Sequence, residues 1–491
     1  MHNPRMQRIV PGPGWPLHDV AAIRRVEQRA AAALPPHTLM QRAGLAVARL
    51  ALALAPHART IWVACGPGNN GGDGLEAALL LKQWGKEPVV TWLGDETKTP
   101  PDALASLQRA RAAGVRFAAE PPADRDFALD ALLGLGATRA PAGPLLAHIE
   151  ALNAGSSRVL AIDLPSGLDA DTGRAEACVR AAHTLSLLAL KPGLFTGLGR
   201  DAAGQVWFDA LEVATDHPAS ATLSPSPAQQ QRPHASHKGS YGDVAVIGGA
   251  PGMAGAALLA ARAALHHGAG RVYAGLLDAS APAFDPGQPD LMLRKWETLD
   301  LAALHVACGC GGGDAVRAAL PKMLSAARSL VLDADALNAL AADPQLQSLL
   351  QGRGRRGAAT VLTPHPLEAA RLLGRKTNEI QADRLAAARE LAQRYGVVTL
   401  LKGSGTVIAS PGGEVRINPT GNAKLAIAGT GDVLAGWVAA RFAGGESAMD
   451  AAANAAYLHG LAADQWPEDS PLTAANLAGS LARTHPKNNR T

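Results

Sequence analysis

The chain has 491 residues, of which 47% are hydrophobic and 18% are charged. This composition supplies enough apolar side chain for packed cores and excludes a disordered or fibrous protein. Lysine and arginine number 46 against 42 aspartate and glutamate, a net charge of +4, and no basic run forms the stripe typical of nucleic-acid binding. At about 100–200 residues per domain, two large domains fit the length.

The cysteines and the N-terminus give no indication of export. Cys308 and Cys310 lack the two-residue gap of a zinc or thioredoxin pair, and we expect all four cysteines to be reduced thiols. Residues 1–17 contain no apolar stretch typical of a secretory signal. Apolar stretches elsewhere fall short of the ~20 residues that a membrane span needs. We therefore expect a cytoplasmic protein that binds neither nucleic acid nor membrane.

Short apolar runs alternate with Ala/Leu-rich helical patterns in the first half of the chain. The predicted strands are 60–65, 88–93, 158–164 and 184–190, and the predicted helices include 74–84 and 102–113. This alternation is typical of a parallel sheet that helices cover on both faces.

A stretch rich in Pro, Ser and Gln separates the two halves. Residues 214–233 have a composition that is unable to bury a face, so we expect a linker between domains 1–213 and 234–491. The same alternation then returns, with predicted strands at 244–248, 271–276, 329–332, 359–362 and 397–401. The halves share no repeated motif, which predicts two different α/β domains.

A glycine-rich segment, Cys65-Gly-Pro-Gly-Asn-Asn-Gly-Gly-Asp-Gly74, follows the first predicted strand. We expect a loop leading into a helix that begins near Gly74, with backbone N–H groups that bind a phosphate. A tight turn that binds nothing is the alternative. Asn69, Asn70 and Asp73 add side-chain oxygens suited to a ribose, an amide or a hard cation, and this favours a binding site.

Two further strand ends carry polar side chains. Asp130 ends the run that begins at Phe127, and Asp163, Ser166 and Asp169 follow the predicted strand 158–164. Alone, Asp130 is explained as a helix cap and Asp163 as a turn residue before a proline. Ligands of open α/β sheets bind at the carboxyl ends of the strands, so three polar strand ends together predict a site.

These three segments resemble the NAD(P)H-hydrate epimerase domain, over about residues 17–211. The resemblance implies a Rossmann-like three-layer sandwich, with Asp163 as the catalytic carboxylate and a potassium ion held by Asn70, Asp130 and Ser166. Leu135 departs from the threonine common in the family. The implied contacts with the hydrated dinucleotide are Asn69, Asn70, Gly71, Gly72, Asp73, Gly134, Leu135, Gly136, Ala137, Thr138, Arg139, Ala140 and Asp163.

The second half carries Gly429-Thr-Gly-Asp432 at the start of a predicted helix. Successive N–H groups there can stabilise an anion while Asp432 acts as the base of a phosphoryl transfer; a simple helix cap is the alternative. The segment 402–406, Lys-Gly-Ser-Gly-Thr, suits the phosphates and ribose of a nucleotide. His365 follows a predicted strand beside this site, where it is either a substrate contact or an ordinary loop residue.

The segment Gly429–Asp432 matches the Gly-x-Gly-Asp signature of ribokinase-like enzymes, and residues 237–260 resemble the ADP/ATP-dependent NAD(P)H-hydrate dehydratase domain. The resemblance implies a ribokinase-like domain that uses ADP with Mg²⁺, and Asp432 as the catalytic base. Cys310 stands in place of the usual proline, and Ala428 in place of a common glycine. The implied substrate contacts are Ala257, Gly311, His365 and Asp432, and the implied nucleotide contacts are Lys402, Gly403, Ser404, Gly405, Thr406 and Gly431.

Together the resemblances cover nearly the whole chain and imply a bifunctional enzyme that repairs hydrated NADH and NADPH. The expected partners are the small molecules NADHX, NADPHX and ADP, and a homo-oligomer is expected. One alternative is a ribokinase-class small-molecule kinase with a non-catalytic N-terminal binding domain. Another is a non-catalytic scaffold, although the complete set of polar residues in the first half exceeds what a scaffold needs.

Overall fold

A computed structural model describes residues 6–136, 139–228 and 232–480. The chain divides into two compact units. The first comprises Trp15–Ala221 with the residues up to Val10, and the second comprises Pro11–Gly14 with the residues from Thr222 onward. Within the described residues, no helix combines the length and the apolar character needed to cross a membrane.

The first unit is an α/β fold. Its strands are β1 Gln7–Arg8, β2 Trp15–Leu17, β3 Thr60–Cys65, β4 Glu87–Trp92, β5 Arg116–Phe117, β6 Phe127–Ala131, β7 Arg158–Ile162, β8 His183–Leu187 and β9 Gln205–Asp209. Its helices are α1 Val20–Ala33, α2 Thr38–Leu54, α3 Asn69–Gln83, α4 Pro101–Ala112, α5 Pro144–Ala154 and α6 Gly199–Ala202, with a 3-10 turn at Pro192–Leu194.

The strand order of the first sheet is β1-β9-β8-β7-β6-β3-β4-β5, and the neighbours are parallel except for β1, which is antiparallel to β9. Alternate residues of β3 enter two separate cores: Val63 packs in one and Trp62 in the other. Both faces of the sheet are therefore covered, which confirms the predicted α/β class with a parallel sheet. The order reverses between β3 and β6, and ligands of such sheets bind at this kind of switch point.

The glycines after β3 serve close packing. The helix α3 begins at Asn69, so the prediction that it begins near Gly74 is wrong. A β-carbon at Gly72 would lie 2.7 Å from the sulfur of Met40, and one at Gly74 would lie 2.5 Å from the β-carbon of Ala131. These glycines let α3 lie directly against its neighbours, and this packing gain outweighs the low helix propensity of glycine.

The second unit is also α/β. Its strands are β10 Ala221–Leu223, β11 Asp243–Gly248, β12 Arg271–Leu276, β13 Met292–Leu293, β14 His305–Cys308, β15 Ser329–Leu332, β16 Thr360–Leu362, β17 Val398–Leu401, β18 Val407–Ala409 and β19 Val415–Ile417. Its helices are α7 Ala254–His266, α8 Val316–Ala326, α9 Asp335–Ala342, α10 Pro344–Arg355, α11 Pro366–Leu373, α12 Thr377–Ala382, α13 Arg384–Tyr395, α14 Thr430–Ala443, α15 Ala448–Asp464 and α16 Ala474–Ala478. Short 3-10 turns lie at Lys238–Tyr241, Trp296–Thr298, Leu301–Ala303 and Ala423–Leu425.

The strands of this unit are ordered β13-β12-β11-β14-β15-β16-β17-β18-β19-β10. The run from β13 to β17 is parallel, and β18 is antiparallel to both β17 and β19. The order reverses between β11 and β14. Gly248 ends β11 so close to the next loop that a β-carbon there would lie 2.3 Å from the carbonyl oxygen of Cys310.

Part of the predicted linker 214–233 is a strand. In β10, Thr222 and Leu223 pair in parallel with Arg416 and Ile417 of β19, and Leu223 is buried. The expectation that the whole stretch buries nothing is therefore wrong, because its few apolar residues reach the edge of a sheet that supplies the missing hydrogen bonds. Residues 229–231 of that stretch lie outside the described residues.

We predict that Gly71→Ala destabilises the first unit. The added β-carbon would lie 2.1 Å from the carbonyl oxygen of Gly66, and overpacking of this kind costs about 1–3 kcal/mol. Gly255→Ala is the matched control, because this helical glycine has no atom within 4 Å of the added carbon and should gain about 0.5–1 kcal/mol. Urea unfolding followed by circular dichroism measures both. Wild-type stability of the Gly71 variant would show that the helix relaxes freely.

Candidate functional sites

A cleft of about 590 Å³ lies in the first unit, at the carboxyl ends of β3, β6 and β7. Of the predicted contact residues, Asn69, Asn70, Asp73, Gly134, Leu135, Gly136 and Asp163 line it. Gly71 and Gly72 are buried in α3, and Arg139 and Ala140 are exposed outside the lining. Ala137 and Thr138 lie outside the described residues. Most of the residues predicted to contact the dinucleotide therefore line one cleft.

The three residues predicted to hold potassium lie together beside this cleft. Asp130 is fully buried and accepts hydrogen bonds from the Ser166 hydroxyl at 2.5 Å and the Ser166 N–H at 2.8 Å. Burial raises the pKa of Asp130 to about 6, although these hydrogen bonds oppose the rise. The amide of Asn70 donates to the carbonyl oxygen of Leu133 at 3.0 Å, while its own oxygen is buried and has no partner among the described residues.

That donor set fits a hard cation. It combines a carboxylate, a hydroxyl and an amide oxygen, which are ligands that such cations prefer. The oxygen of Asn70 is desolvated without a hydrogen bond, a state that is costly unless a ligand compensates for it.

Asp163 lies on the floor of the cleft in a strained backbone conformation, with φ of 71°. Its carboxylate pairs with the ammonium of Lys191, which is completely buried. The Lys191 ammonium also donates to the Ser186 hydroxyl at 3.1 Å and the Leu187 carbonyl oxygen at 2.9 Å. A non-glycine residue is held in the left-handed region only where its surroundings over-determine it, and such residues cluster at functional sites.

Two more carboxyl groups face Asp163 across the cleft. Burial, with the nearby Asp163 charge, raises the pKa of Glu27 on α1, and burial with the charges of Asp163 and Glu27 raises the pKa of Asp73 on α3 well above its usual value. Like charges in a partly desolvated site disfavour simultaneous ionisation. The cleft therefore gathers carboxyl groups whose protonated form is favoured beside the Asp163–Lys191 ion pair.

The second unit places Asp432 in the first turn of α14, which Gly429 caps with φ of 90°. The terminal N–H groups of a helix and its dipole favour a negative charge at this position. Burial, reinforced by the charge of Asp333, raises the pKa of Asp432 to about 6. The Cys310 sulfur and carboxylate oxygens of Asp333 and Asp432 lie within 4.8 Å of one another.

Lys402 lies at the centre of this second group of residues. Its ammonium is 2.6 Å from Asp333 and 3.9 Å from Glu368, and Thr363 donates to the same Asp333 oxygen at 2.8 Å. Burial raises the pKa of Glu368 to about 7, although the Lys402 charge opposes the rise. A β-carbon at Gly431 would lie 3.4 Å from the Lys402 nitrogen, so α14 begins directly over this cation.

His365 has a structural contact of its own. It caps α11, and its Nδ1 accepts hydrogen bonds from the N–H groups of Leu367 at 3.1 Å and Glu368 at 3.3 Å. Its Nε2 lies 3.3 Å from the Glu368 carboxylate. The ring is partly exposed beside Lys402, so a contact with a substrate remains open to it.

Comparison with known proteins covers both units. Residues 36–193 match a model described as YjeF-related protein N-terminus, and residues 244–487 match one described as NAD(P)H-hydrate dehydratase. The bifunctional NAD(P)H-hydrate repair enzyme Nnr of Escherichia coli (strain K12) is 38% identical over 93% of this chain and 90% of its own. The chain belongs to the bifunctional NAD(P)H-hydrate repair enzyme family.

Single-domain relatives match the second unit. The ADP-dependent (S)-NAD(P)H-hydrate dehydratase of Neisseria meningitidis serogroup B is 43% identical over 50% of this chain and 84% of its own. The ADP/ATP-dependent NAD(P)H-hydrate dehydratase from Bacillus subtilis, co-crystallized with ATP/Mg²⁺, is 33% identical and covers 50% of this chain and 90% of its own, with a TM-score of 0.42.

The other residues that the resemblance implies for the second unit lie after two strands and on one helix. Gly311 follows β14 with φ of 57°, and the 403–406 loop follows β17. The Arg384 guanidinium supports that loop by donating to the Lys402 carbonyl oxygen at 3.1 Å. Ala257 is completely buried on α7. Its contact with a substrate stays a prediction, and neighbouring atoms would have to move to allow it.

Sequence reasoning missed three charged residues. Asp333 directly follows the predicted strand 329–332, so the strand-end argument used for Asp130 would have found it. Lys191 follows β8 in the same way, but its burial gives no signal in the sequence. Glu27 lies on a helix far from every motif, and only the fold brings it to the cleft.

We predict that His365→Ala lowers the free energy of unfolding by about 1 kcal/mol, because the cap of α11 is lost. His365→Asn should retain stability, since asparagine caps helices well. Thermal unfolding of the two variants measures the difference. Equal melting temperatures of the two variants would contradict the capping role. A dehydration rate that falls equally in both would instead identify a contact between the imidazole ring and the substrate.

Proposed function

We propose that the protein repairs hydrated NADH and NADPH, interconverting the R and S epimers in the first unit and dehydrating the S epimer with ADP in the second. The observation that carries this proposal is the presence of two different sites in one chain, at the strand switch point of each unit. The first combines a cation-binding cluster with opposed carboxyl groups, and the second combines a base with a helix N-terminus. The names of two similar proteins, the bifunctional repair enzyme Nnr of Escherichia coli and the ADP-dependent dehydratase of Neisseria meningitidis, agree with it.

In the dehydratase, Asp432 takes the proton from the ring hydroxyl as this oxygen attacks the terminal phosphorus of ADP. The N–H groups at the start of α14 stabilise the negative charge of the transferring group. AMP leaves, and phosphate then leaves the ring carbon with its bonding electrons as a neighbouring carbon loses a proton. These steps regenerate the dihydronicotinamide.

We assign the 402–406 loop and Gly431 to the nucleotide, because the start of α14 lies close to the Lys402 ammonium: a β-carbon at Gly431 would lie 3.4 Å from its nitrogen. Mg²⁺ accompanying ADP would find hard oxygen donors in Asp333 and Glu368, which flank Lys402. When bound, such an ion neutralises charge on the transferring phosphoryl group. Gly311 and His365 are assigned to the substrate.

In the epimerase, we assign the lining residues of the cleft to the dinucleotide, and Asp163 to proton transfer at the oxygen on the reacting ring carbon. Asn70, Asp130 and Ser166 would hold the potassium ion, whose charge favours binding of the anionic substrate. The orphaned Asn70 oxygen and the buried Asp130 carboxyl support this assignment.

The direct test incubates the full chain with mixed NADHX epimers and either ADP or ATP at matched magnesium. Recovery of dihydronicotinamide absorbance from both epimers with ADP supports the proposal. Recovery from the S epimer alone would remove the epimerase, and faster turnover with ATP would overturn ADP as the donor. A stable phosphate ester without recovery of absorbance would indicate a kinase.

We predict that Asp432→Asn lowers dehydration about 100-fold or more, because the base that accepts the hydroxyl proton is lost. Epimerisation should be unchanged. Since the carboxylate is the active form and its pKa is raised to about 6, wild-type kcat/KM should rise with pH up to about 6 and then level off.

The readout is absorbance recovery from the pure S epimer with ADP between pH 5 and 8. Asp314→Asn is the control, because this aspartate is exposed and should leave the rate unchanged. Full dehydration by the Asp432 variant would remove it from the role of base.

We predict that Asp130→Ala impairs epimerisation and abolishes its response to potassium, while dehydration of the S epimer continues. The variant removes the carboxylate of the donor set and leaves Ser166 without its main partner. Interconversion of the epimers is followed by chromatography in potassium and in sodium buffers.

The matched control is Asp126→Ala, which removes hydrogen bonds to Arg59 and Thr60 at the other end of β6. It should lower stability without changing the response to potassium. If the Asp130 variant melts lower but epimerises normally with an unchanged potassium response, Asp130 is structural only.

A further inference from the structure

The cleft of the first unit contains more carboxyl groups than one proton-transfer step requires. Three that line it are Glu27 on α1, Asp73 on α3 and Asp163 directly after β7. Lys191 is completely buried beside them, and of these three carboxyl groups its ammonium pairs with that of Asp163.

The three carboxyl groups differ in their contacts. Asp163 accepts from the Lys191 ammonium and from the Leu187 N–H at 3.1 Å, contacts that stabilise a carboxylate. Asp73 makes no hydrogen bond or ion pair with the described residues, although it faces Asp163 and Glu27. Burial and these neighbouring charges raise the pKa of Asp73 well above its usual value, which favours the protonated form that a proton donor needs.

We propose that Asp73 and Asp163 are the two proton-transfer groups of the epimerase, with Asp73 as the acid and Asp163 as the base, and that Lys191 is the positioning residue that fixes these roles. This inference rests on the proposed epimerase function. It gives Asp73 a chemical role beyond contact with the dinucleotide.

The chemistry of the substrate requires such a pair. Hydration of an enamine places the hydroxyl on the carbon bonded to the ring nitrogen, so inversion there requires the C–O bond to break and re-form on the opposite face. Asp73 gives its proton to the hydroxyl, and water leaves with the bonding electrons as the nitrogen lone pair forms a C=N bond. A water molecule then adds to the other face, and Asp163 accepts its proton. Proton exchange with solvent restores both groups.

The other charged and titratable groups facing the pair come from three elements. Glu27 and Arg24 lie on α1, Glu76 lies on α3 and Cys65 ends β3. Glu76 is engaged in an ion pair with Arg109, on α4. Glu27 is thus the group that competes with Asp73 for the role of acid, and the test includes it.

The decisive experiment compares Asp73→Asn, Glu27→Gln and the control Asp124→Asn in the full chain. Asp124 is exposed in the same unit and lies outside the cleft lining, so its variant should epimerise normally. Asp73→Asn should lower kcat for epimerisation about 100-fold with KM within a few fold, because the amide retains the shape but has no acidic proton. Glu27→Gln should cost only a few fold. Dehydration of the pure S epimer with ADP confirms that each preparation is active.

The pH profile separates chemical from structural roles. The wild-type rate should fall at high pH as Asp73 ionises. In Lys191→Met kcat for epimerisation should fall several-fold with KM nearly unchanged, because the Asp163 carboxylate loses the cation that holds it in place; a purely structural role would lower the melting temperature and leave kcat unchanged below it. The residual activity of Asp73→Asn should lack the high-pH limb.

The outcomes are distinguishable. If the wild type does not interconvert the epimers, the proposed epimerase function itself fails. If the wild type is active and Asp73→Asn stays within a few fold of it, or Glu27→Gln carries the loss instead, Asp73 is not the acid. A wild-type kcat in folded Lys191→Met overturns the role of Lys191, and Asp73→Asn decides the assignment of the acid independently of how that variant folds.

Discussion

Both units depend on the close backbone approach of two loops where the strand order reverses. A β-carbon at Gly66 would lie 1.7 Å from the carbonyl oxygen of Leu132, and one at Gly248 would lie 2.3 Å from that of Cys310. Only glycine permits this distance. In the first unit the approach brings Asn70, after β3, beside Leu133, after β6; in the second it brings Cys310, after β14, against the end of β11. The geometry of each candidate site therefore depends on backbone packing.

In each site, an ion pair links one acid to a lysine. Lys402 neutralises Asp333 in the second unit, and Lys191 neutralises Asp163 in the first. The carboxyl groups without such a partner, Asp73 above all, have raised pKa values. Breaking a buried pair leaves an uncompensated charge, which is more costly than the pair itself is stabilising. The two lysines thus act on the chemistry of their sites through the acids that they contact.

The sequence predicts the strands and their polar ends well, because both follow from local patterns. The strand 60–65 has the predicted bounds, and Asp130, Asp163 and Asp432 lie where the strand-end and helix-start arguments put them. Local patterns fail where tertiary contacts decide. Glycines normally end helices, yet α3 runs through several of them because the sheet requires that close contact. Glu27 reaches the cleft only through the placement of α1, which no motif encodes.

The strand β10 has a consequence for how the two activities are separated. Thr222 and Leu223 complete the hydrogen-bonding edge of β19, so a dehydratase fragment cut at residue 234 would expose that edge. Unpaired strand edges recruit other strands, and natural proteins protect them for this reason. A fragment cut there would be prone to self-association through β19, whereas one that begins before Ala221 would keep β19 paired with β10.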